Sequence, residues 1–224
     1  MLCLVVGLVG AFDSSSSDAS TRARCISDTI LRGDVDGDQA PERVSIFGRS
    51  DERYGCRFVL VVRSATQTYR LRLREGLLEA PNVNVRIAYL FGLARIDSRR
   101  GSEILVTLNH SASGPAVGVY TLRRGRLSYV PIEGRNRIEG IFWHNQAGLG
   151  GSRTDCWKRA ASGHVVTMEY QVDSSGNGAD IDRQLWRTNG SMFRLVWSRH
   201  YRKTHRNFPE QGAGTPFERC LTRS

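Results

Sequence analysis

Short runs of β-branched and aromatic residues, separated by polar turns, make up most of this chain. Such runs, with glycine in the connecting turns, are typical of antiparallel β-meanders. Asn189 followed by Gly190 is the sharpest hairpin signal among the turns. The predicted strands are 43–47, 58–62, 69–73, 104–108, 117–122, 127–130, 164–168, 184–187 and 192–197.

These runs recur at a fixed spacing. The segments beginning at Glu42, Glu103 and His164 start 61 residues apart, and each is followed by a polar connection, a second strand, a tight turn and a third strand. A repeated period of this kind indicates a repeat architecture. The expected repeats are roughly 32–92, 93–153 and 154–205, followed by a C-terminal tail.

The pattern predicts an all-β fold. The only stretch with helical apolar spacing, 76–93, is interrupted by Pro81. At this length we expect a single β-repeat domain over 21–224, with 1–20 as a signal-like or unstructured leader. Propellers have four or more blades, so three repeats leave ring closure and blade number open. The chain ends, near 25–31 and 200–220, are candidates for further strands.

The first repeat opens on an acidic loop. Asp34, Asp36, Asp38 and Glu42 stand at loop positions 1, 3, 5 and 9, with Gly37 at position 4. Calcium takes about six to eight oxygen ligands, and alternating carboxylates on a tight loop can converge on one ion. We therefore expect these four residues to hold a structural Ca2+, the alternative being an acidic turn without an ion.

The later copies of this loop have lost most of these acids. In the second copy Asp36 corresponds to Asp97, but Asp34 and Asp38 correspond to Arg95 and Arg99, which predicts the loss of the ion. The third copy, at 155–158, keeps one acid and a cysteine. The stretch 173–182 also carries alternating oxygen-bearing side chains, and a hairpin connection is favoured there over a second cation site.

The first loop and the strand after it resemble FG-GAP or VCBS-type repeats, the blades of integrin-like β-propellers. The resemblance rests on residues 34–47, and the repeats extend it over most of 32–197. It implies a β-propeller-like arrangement of small antiparallel sheets with structural calcium. It also implies binding more than chemistry, by analogy with that family.

The cysteines and the N-terminus indicate export. An apolar run at 2–12 followed by a polar stretch is similar to a signal peptide without a basic start, which leaves the true start codon open. Beyond this run no membrane-spanning segment is expected. Cys3 lies in this run, and the other four cysteines predict two disulfides and a secreted, extracellular protein. Three pairings are possible, and Cys25 with Cys56 and Cys156 with Cys220 are favoured, because each would tie a terminal segment to its nearest repeat.

The net charge of +10 indicates affinity for polyanions. Of the 32 basic residues all but Lys158 and Lys203 are arginine, for which a GC-rich coding bias is the simpler explanation. Dense basic runs lie at 70–74, 123–126 and 199–206. A binding role would use an anionic envelope polymer or polysaccharide as partner, without specific nucleic-acid recognition, since no reader motif is present. The oligomeric state is not indicated.

No catalytic motif is recognisable, so no catalytic residue and no cofactor beyond Ca2+ are expected. The sequence favours a non-catalytic binding or scaffolding module, with Trp143, Trp157 and Trp186 as candidate contacts. The alternative is an extracellular hydrolase of wall or matrix polymer with a loop-built site. That alternative requires four polar residues to meet in one cleft: Glu139, His144, Asp155 and Asp173.

Overall fold

The computed structural model describes residues 24–26, 29–51, 55–73, 85–111, 114–134, 142–147, 150–158, 160–204 and 215–222. These residues form strands and turns, with one short 3-10 helix at Glu218–Cys220. The prediction of an all-β chain is confirmed. The predicted leader at 1–20 lies outside the described residues.

Three antiparallel sheets account for most of the strands, and each follows chain order. The first sheet contains β2 (Ile30–Gly33), β3 (Glu42–Asp51), β4 (Gly55–Arg63) and β5 (Thr68–Arg72). The second contains β7 (Tyr89–Ala94), β8 (Glu103–Ser111), β9 (Gly114–Arg123) and β10 (Arg126–Tyr129). The third contains β12 (Asn145–Ala147), β13 (Gly150–Cys156), β14 (His164–Val172), β15 (Gly178–Thr188) and β16 (Phe193–Thr204).

Three short strands complete the described elements. A parallel pair is formed by β1 (Arg24–Ile26) and β6 (Val85–Ile87). Strand β11 (Phe142–Trp143) pairs antiparallel with β9 and extends the second sheet. The stretch 76–93, the candidate helix, is strand at both described segments, β6 and β7. Within the described residues no helix is long and apolar enough to cross a membrane.

The three sheets share one spacing. The strands β3 and β8, second in their sheets, and β14, third in its sheet, begin at Glu42, Glu103 and His164, at the 61-residue interval seen in the sequence. In each sheet a loop of eight residues or fewer precedes that strand, and two hairpins follow it. The sheets do not close into a ring over the described residues.

The second sheet lies between the other two and packs against both. One buried cluster joins it to the first sheet, through residues such as Phe58, Leu60 and Leu108. A second buried cluster joins it to the third sheet, through residues such as Val117, Phe142 and Phe193. The strands of the second sheet are therefore apolar on both faces, which explains the continuous buried run along β9.

Both favoured disulfides are present. Cys25 bonds to Cys56 with a Cα–Cα distance of 5.7 Å, and Cys156 bonds to Cys220 at 5.9 Å. The first ties β1 to the first sheet. The second ties the C-terminal segment to the third sheet, and Leu221 of that segment also forms a β-bridge with Ala94. The prediction that each bond fastens a terminal segment is confirmed.

Candidate cation site

The first acidic loop brings three of its carboxylates together. One carboxylate oxygen from each of Asp34, Asp36 and Glu42 lies within 4.8 Å of the others. Asp38, the fourth predicted ligand, is not part of this group. Its Oδ1 instead accepts a hydrogen bond from the Ala40 amide at 2.7 Å. The described structure therefore assembles three of the four predicted ligands.

Backbone amides shape this loop around the carboxylates. The Gly37 amide donates to Asp34 Oδ1 at 2.7 Å, and the Asp38 amide donates to Asp36 Oδ1 at 3.0 Å. Gly37 has a φ of 93°, a left-handed conformation that a side chain would strain. One oxygen of each of these carboxylates thus accepts a hydrogen bond from a loop amide. The second oxygen accepts no hydrogen bond from the described residues.

Glu42 is the buried member of the group, with 1 % of its surface exposed. Its Oε2 accepts a hydrogen bond from the Val35 amide at 2.8 Å, which closes the loop across its base. Burial raises the pKa of Glu42, and the charges of Asp36, Asp38 and Asp34 raise it further, against the lowering effect of the Val35 amide. Ionised Glu42 is therefore costly in this loop unless a cation lies nearby.

The second loop, which contains Asp97 and ends at Glu103, repeats the hydrogen bond that closes the base of the first loop. The Ile96 amide donates to Glu103 Oε2 at 2.8 Å, as the Val35 amide does to Glu42, and both residues lie 61 positions further along. Asp97, at the position of Asp36, is buried beside Glu103. The second loop therefore retains the carboxylates at the positions of Asp36 and Glu42, both of them buried there, although the other two acids are replaced by arginine.

A guanidinium group supplies the positive charge in the second loop. Arg123, at the end of β9, donates to Glu103 Oε1 at 2.9 Å and lies 3.6 Å from Asp97 Oδ1. Burial and the Asp97 charge raise the pKa of Glu103 to about 7, while the Ile96 amide and Arg123 act in the opposite direction. Sequence inspection missed Arg123 because it lies 20 residues from Glu103 and outside the loop pattern.

The first loop contains no such internal cation. No lysine, arginine or histidine of the described residues forms an ion pair with Asp34, Asp36 or Glu42. A hard divalent cation matches this donor set, because all three free groups are carboxylate oxygens. Asp34, Asp36 and Glu42 are therefore the residues that would hold such a cation.

The two loops also pack against each other. The Ser102 amide donates to the Asp34 carbonyl at 2.8 Å, and Arg123 Nη1 donates to the Val35 carbonyl at 3.2 Å. A Cβ atom at Gly37 would lie 2.9 Å from the Arg100 carbonyl oxygen. The first loop is thus in direct contact with the second loop.

The third loop keeps the backbone contact without the acids. The Trp157 amide donates to the His164 carbonyl at 2.9 Å, where the earlier loops use a glutamate side chain. The Gly163 amide bonds to the Ile96 carbonyl, so the third loop packs on the second. The stretch 173–177 connects β14 and β15 as a hairpin turn, as favoured over a second cation site, and Asp173 there pairs with Arg202 at 2.6 Å.

Of the residues considered for a hydrolase, the three that the structure describes do not meet in one cleft. Asp155 is buried at one end of the third sheet and pairs with Arg219 at 3.3 Å. Asp173 lies in the turn at the opposite end of β14. The side chain of His144 is buried, and its Nδ1 accepts a long hydrogen bond from the Thr154 amide at 3.4 Å. Glu139 lies outside the described residues.

The three candidate tryptophan contacts differ in exposure. Trp186 is 4 % exposed, lies in the second buried cluster and donates from Nε1 to Thr167 Oγ1 at 3.1 Å. Its assignment as a surface contact was wrong, because β15 turns this side chain towards the second sheet. Trp143 packs partly against the first buried cluster. Trp157 is partly exposed and contacts Trp197.

No family model, curated protein or solved structure matches this chain.

Proposed function

We propose that this chain is a secreted, calcium- and disulfide-stabilised β-repeat module of the FG-GAP/VCBS type that binds an anionic polymer of the cell envelope. The observation that carries the calcium assignment is the contrast between its first two loops. Both loops bury a glutamate against a backbone amide, but the second has Arg123 as a counter-charge. A divalent ion supplies the missing charge in the first loop.

The role of the ion is structural. The acids of the first loop repel each other, and a cation that binds only the folded chain shifts the folding equilibrium by mass action. The loop lies between the first and second sheets, so its order supports their contact. Asp34, Asp36 and Glu42 bind the ion, and the backbone amides of the loop hold those carboxylates in place.

The binding role rests on charge. The chain carries a net charge of +10, and its exposed arginines include Arg70 and Arg72, on one face of β5. Such a surface attracts anionic polymers through long-range electrostatics that salt screens. Two disulfides support an oxidising compartment, where envelope polymers are the abundant polyanions.

Thermal unfolding of the oxidised mature chain tests the calcium assignment. The melting temperature is measured in calcium, in magnesium and in chelator, for the wild type and for Asp36→Ala. We expect a calcium-selective rise in the wild type that the variant lacks. Equal melting temperatures in all three conditions would identify the loop as an acidic turn without an ion.

Retention on isolated cell envelopes tests the binding role separately. The wild-type chain, loaded with calcium, is incubated with envelopes at increasing sodium chloride. We expect retention at low salt that decreases as salt screens the arginines. A chain that stays in the supernatant at low salt would contradict the binding role and leave the calcium assignment untouched.

A further inference from the structure

The outer face of the third sheet, the face turned away from the second sheet, carries a stripe of aromatic and basic side chains. Side chains alternate between the two faces of a strand, so every second residue of β16 from Trp197 onwards, beyond its bulge, lies on this face. Cross-strand pairing places Trp197 beside Leu185, Arg199 beside Arg183 and Tyr201 beside Ile181. We define the outer face by six residues: Trp157, Arg183, Trp197, Arg199, Tyr201 and Lys203.

Aromatic rings and cations alternate along this face. Arg183 lies 4.8 Å from the Trp157 ring centroid and Arg199 lies 5.3 Å from that of Trp197. The two tryptophan rings meet edge to face, 6.2 Å between centroids. Lys203 is next along the strand, and its Nζ lies 5.9 Å from the ring centroid of Tyr201. The cations are thus held in place by ring faces, with their charges unneutralised.

Charges are separated between the two faces of the sheet. Glu169 and Asp182 pair in register on the opposite face, and there Asp182 Oδ1 lies 3.0 Å from His200 Nδ1. On the outer face the carboxylate in register is that of Asp155, which is buried and paired with Arg219. Within the described chain Arg183, Arg199 and Lys203 form no ion pair.

Packing alone does not account for this face. A small apolar cluster on the same face contains Ala179 and Ile181 and is completed by Met168, Tyr170 and Tyr201. Trp157 and Trp197 are not part of any buried cluster and remain partly exposed. Strand β16 is the edge strand of its sheet over the described residues. Arg199 and Lys203 lie four residues apart, about 13 Å along the strand.

We propose that the outer face binds a linear acidic polysaccharide, with sugar rings against the tryptophans and carboxylates at Arg183, Arg199 and Lys203. This inference rests on the proposed binding role and assigns it to one surface. A carboxylated sugar polymer presents apolar ring faces and regularly spaced negative charges together. That chemistry matches a stripe in which aromatic and basic groups alternate. The two disulfides favour an extracellular polymer over nucleic acid.

Direct binding to sodium hyaluronate, a linear carboxylated polysaccharide, tests this assignment, with neutral dextran and a dT oligonucleotide as comparison ligands. Arg199→Gln removes a cation from the outer face. Arg202→Gln removes the same charge from the opposite face of the same strand and serves as the matched control. Trp197→Ala removes a ring, and Trp197→Phe restores one. Circular dichroism and melting temperature establish that each variant is folded.

We expect the wild type to bind hyaluronate and not dextran. Arg199→Gln and Trp197→Ala should each weaken binding by about five- to tenfold, Trp197→Phe should recover most of it, and Arg202→Gln should change it by less than about twofold. Equal losses in Arg199→Gln and Arg202→Gln would overturn the outer face while leaving envelope binding intact. Tighter binding of the dT oligonucleotide through the same residues would overturn the polysaccharide assignment. A wild type retained by neither hyaluronate nor envelopes would contradict the proposed function itself.

Discussion

Arg123 donates a hydrogen bond to the buried carboxylate of Glu103 at 2.9 Å, and this pair links the end of β9 to the second loop. The same guanidinium reaches the Val35 carbonyl in the first loop. A single arginine therefore provides charge to one loop and backbone support to its neighbour. The second loop thus has a counter-charge for its buried carboxylates, whereas no ion pair with a described residue neutralises the carboxylates of the first.

Removing this arginine should destabilise the chain strongly. Arg123→Gln leaves Glu103 buried beside Asp97 without its counter-charge, and breaking a buried ion pair on one side costs about 3–5 kcal/mol. Urea unfolding in calcium measures the change in the free energy of unfolding. Arg124→Gln, at the exposed tip of the next hairpin, is the matched control and should change it by less than about 0.5 kcal/mol. Similar losses in both variants would show that Arg123 contributes only through surface charge.

Glu42→Gln should remove the effect of calcium while preserving the loop. The amide oxygen can still accept the hydrogen bond from the Val35 amide, but the charge that binds the ion is lost. In saturating calcium the wild type should melt about 5–10 °C higher than in chelator, since ligand at 100 times its Kd adds about 2.7 kcal/mol. Differential scanning calorimetry should show almost no calcium shift in the variant. An unchanged shift would place the ion elsewhere.

Stability without calcium should fall as the pH rises. The pKa values of Glu42 and Glu103 are both raised in the folded chain, so the folded state holds these protons more tightly than the unfolded state. The stabilisation from the protonated groups is complete below their ordinary pKa of 4.5. It is lost as the pH rises through the raised pKa values of the folded chain, of which that of Glu103 is about 7. Urea midpoints in chelator between pH 4 and pH 8 measure this slope.

Added calcium and a substitution at Glu103 separate the contributions of Glu42 and Glu103 to that slope. Calcium should remove the part that comes from Glu42, because the ion favours its charged form. Glu103→Gln should remove the part that extends towards pH 7. Glu133→Gln, an exposed substitution of the same kind, should leave the slope unchanged. Stability that rises steadily over this range in chelator would contradict the raised pKa values.

The C-terminal disulfide should hold the tail segment across two sheets. Cys220 is 64 residues from Cys156. Removing the disulfide should lower the free energy of unfolding by about 4 kcal/mol, because the bond restricts a long loop in the unfolded chain. The tail also donates from the Thr222 amide to the Leu93 carbonyl and accepts from the Arg95 amide at the Cys220 carbonyl. In Cys156→Ser/Cys220→Ser, limited proteolysis should cut first near residue 215. Cleavage sites identical to those of the wild type would show that hydrogen bonds alone retain the tail.

The all-β architecture of small antiparallel sheets was predictable from the sequence because its signals are local. Strand composition, turn residues and the 61-residue interval all lie within short windows, and β3, β8 and β14 begin where that interval predicts. The disulfide pairing was favoured among three possibilities because it ties each terminal segment to its nearest repeat, and the structure has that pairing. The stacking order of the three sheets was not predictable, because it depends on which neighbouring sheet the side chains of residues such as Leu105 and Val117 pack against.

The site was predictable only in part, for a related reason. The acids of the first loop are close in sequence, so their spacing indicated a cation, but whether Asp38 joins them depends on the turn made by Ala40. Arg123 reaches Glu103 from a different hairpin, and no local pattern shows such a contact. Trp186 carried no local sign of which sheet face it occupies.

Converting the second loop into a copy of the first would test their equivalence most directly. Arg95→Asp and Arg99→Asp restore the acids found at Asp34 and Asp38, and Arg123→Gln removes the internal cation. If Arg123 stands where the first loop binds calcium, the triple variant should bind two calcium ions by isothermal titration calorimetry, against one for the wild type. The double variant that retains Arg123 is the matched control and should still bind one, because its guanidinium fills the position. Two ions in the control would show that the guanidinium and the ion do not compete, whereas one ion in the triple variant would show that the loops differ in more than their charges.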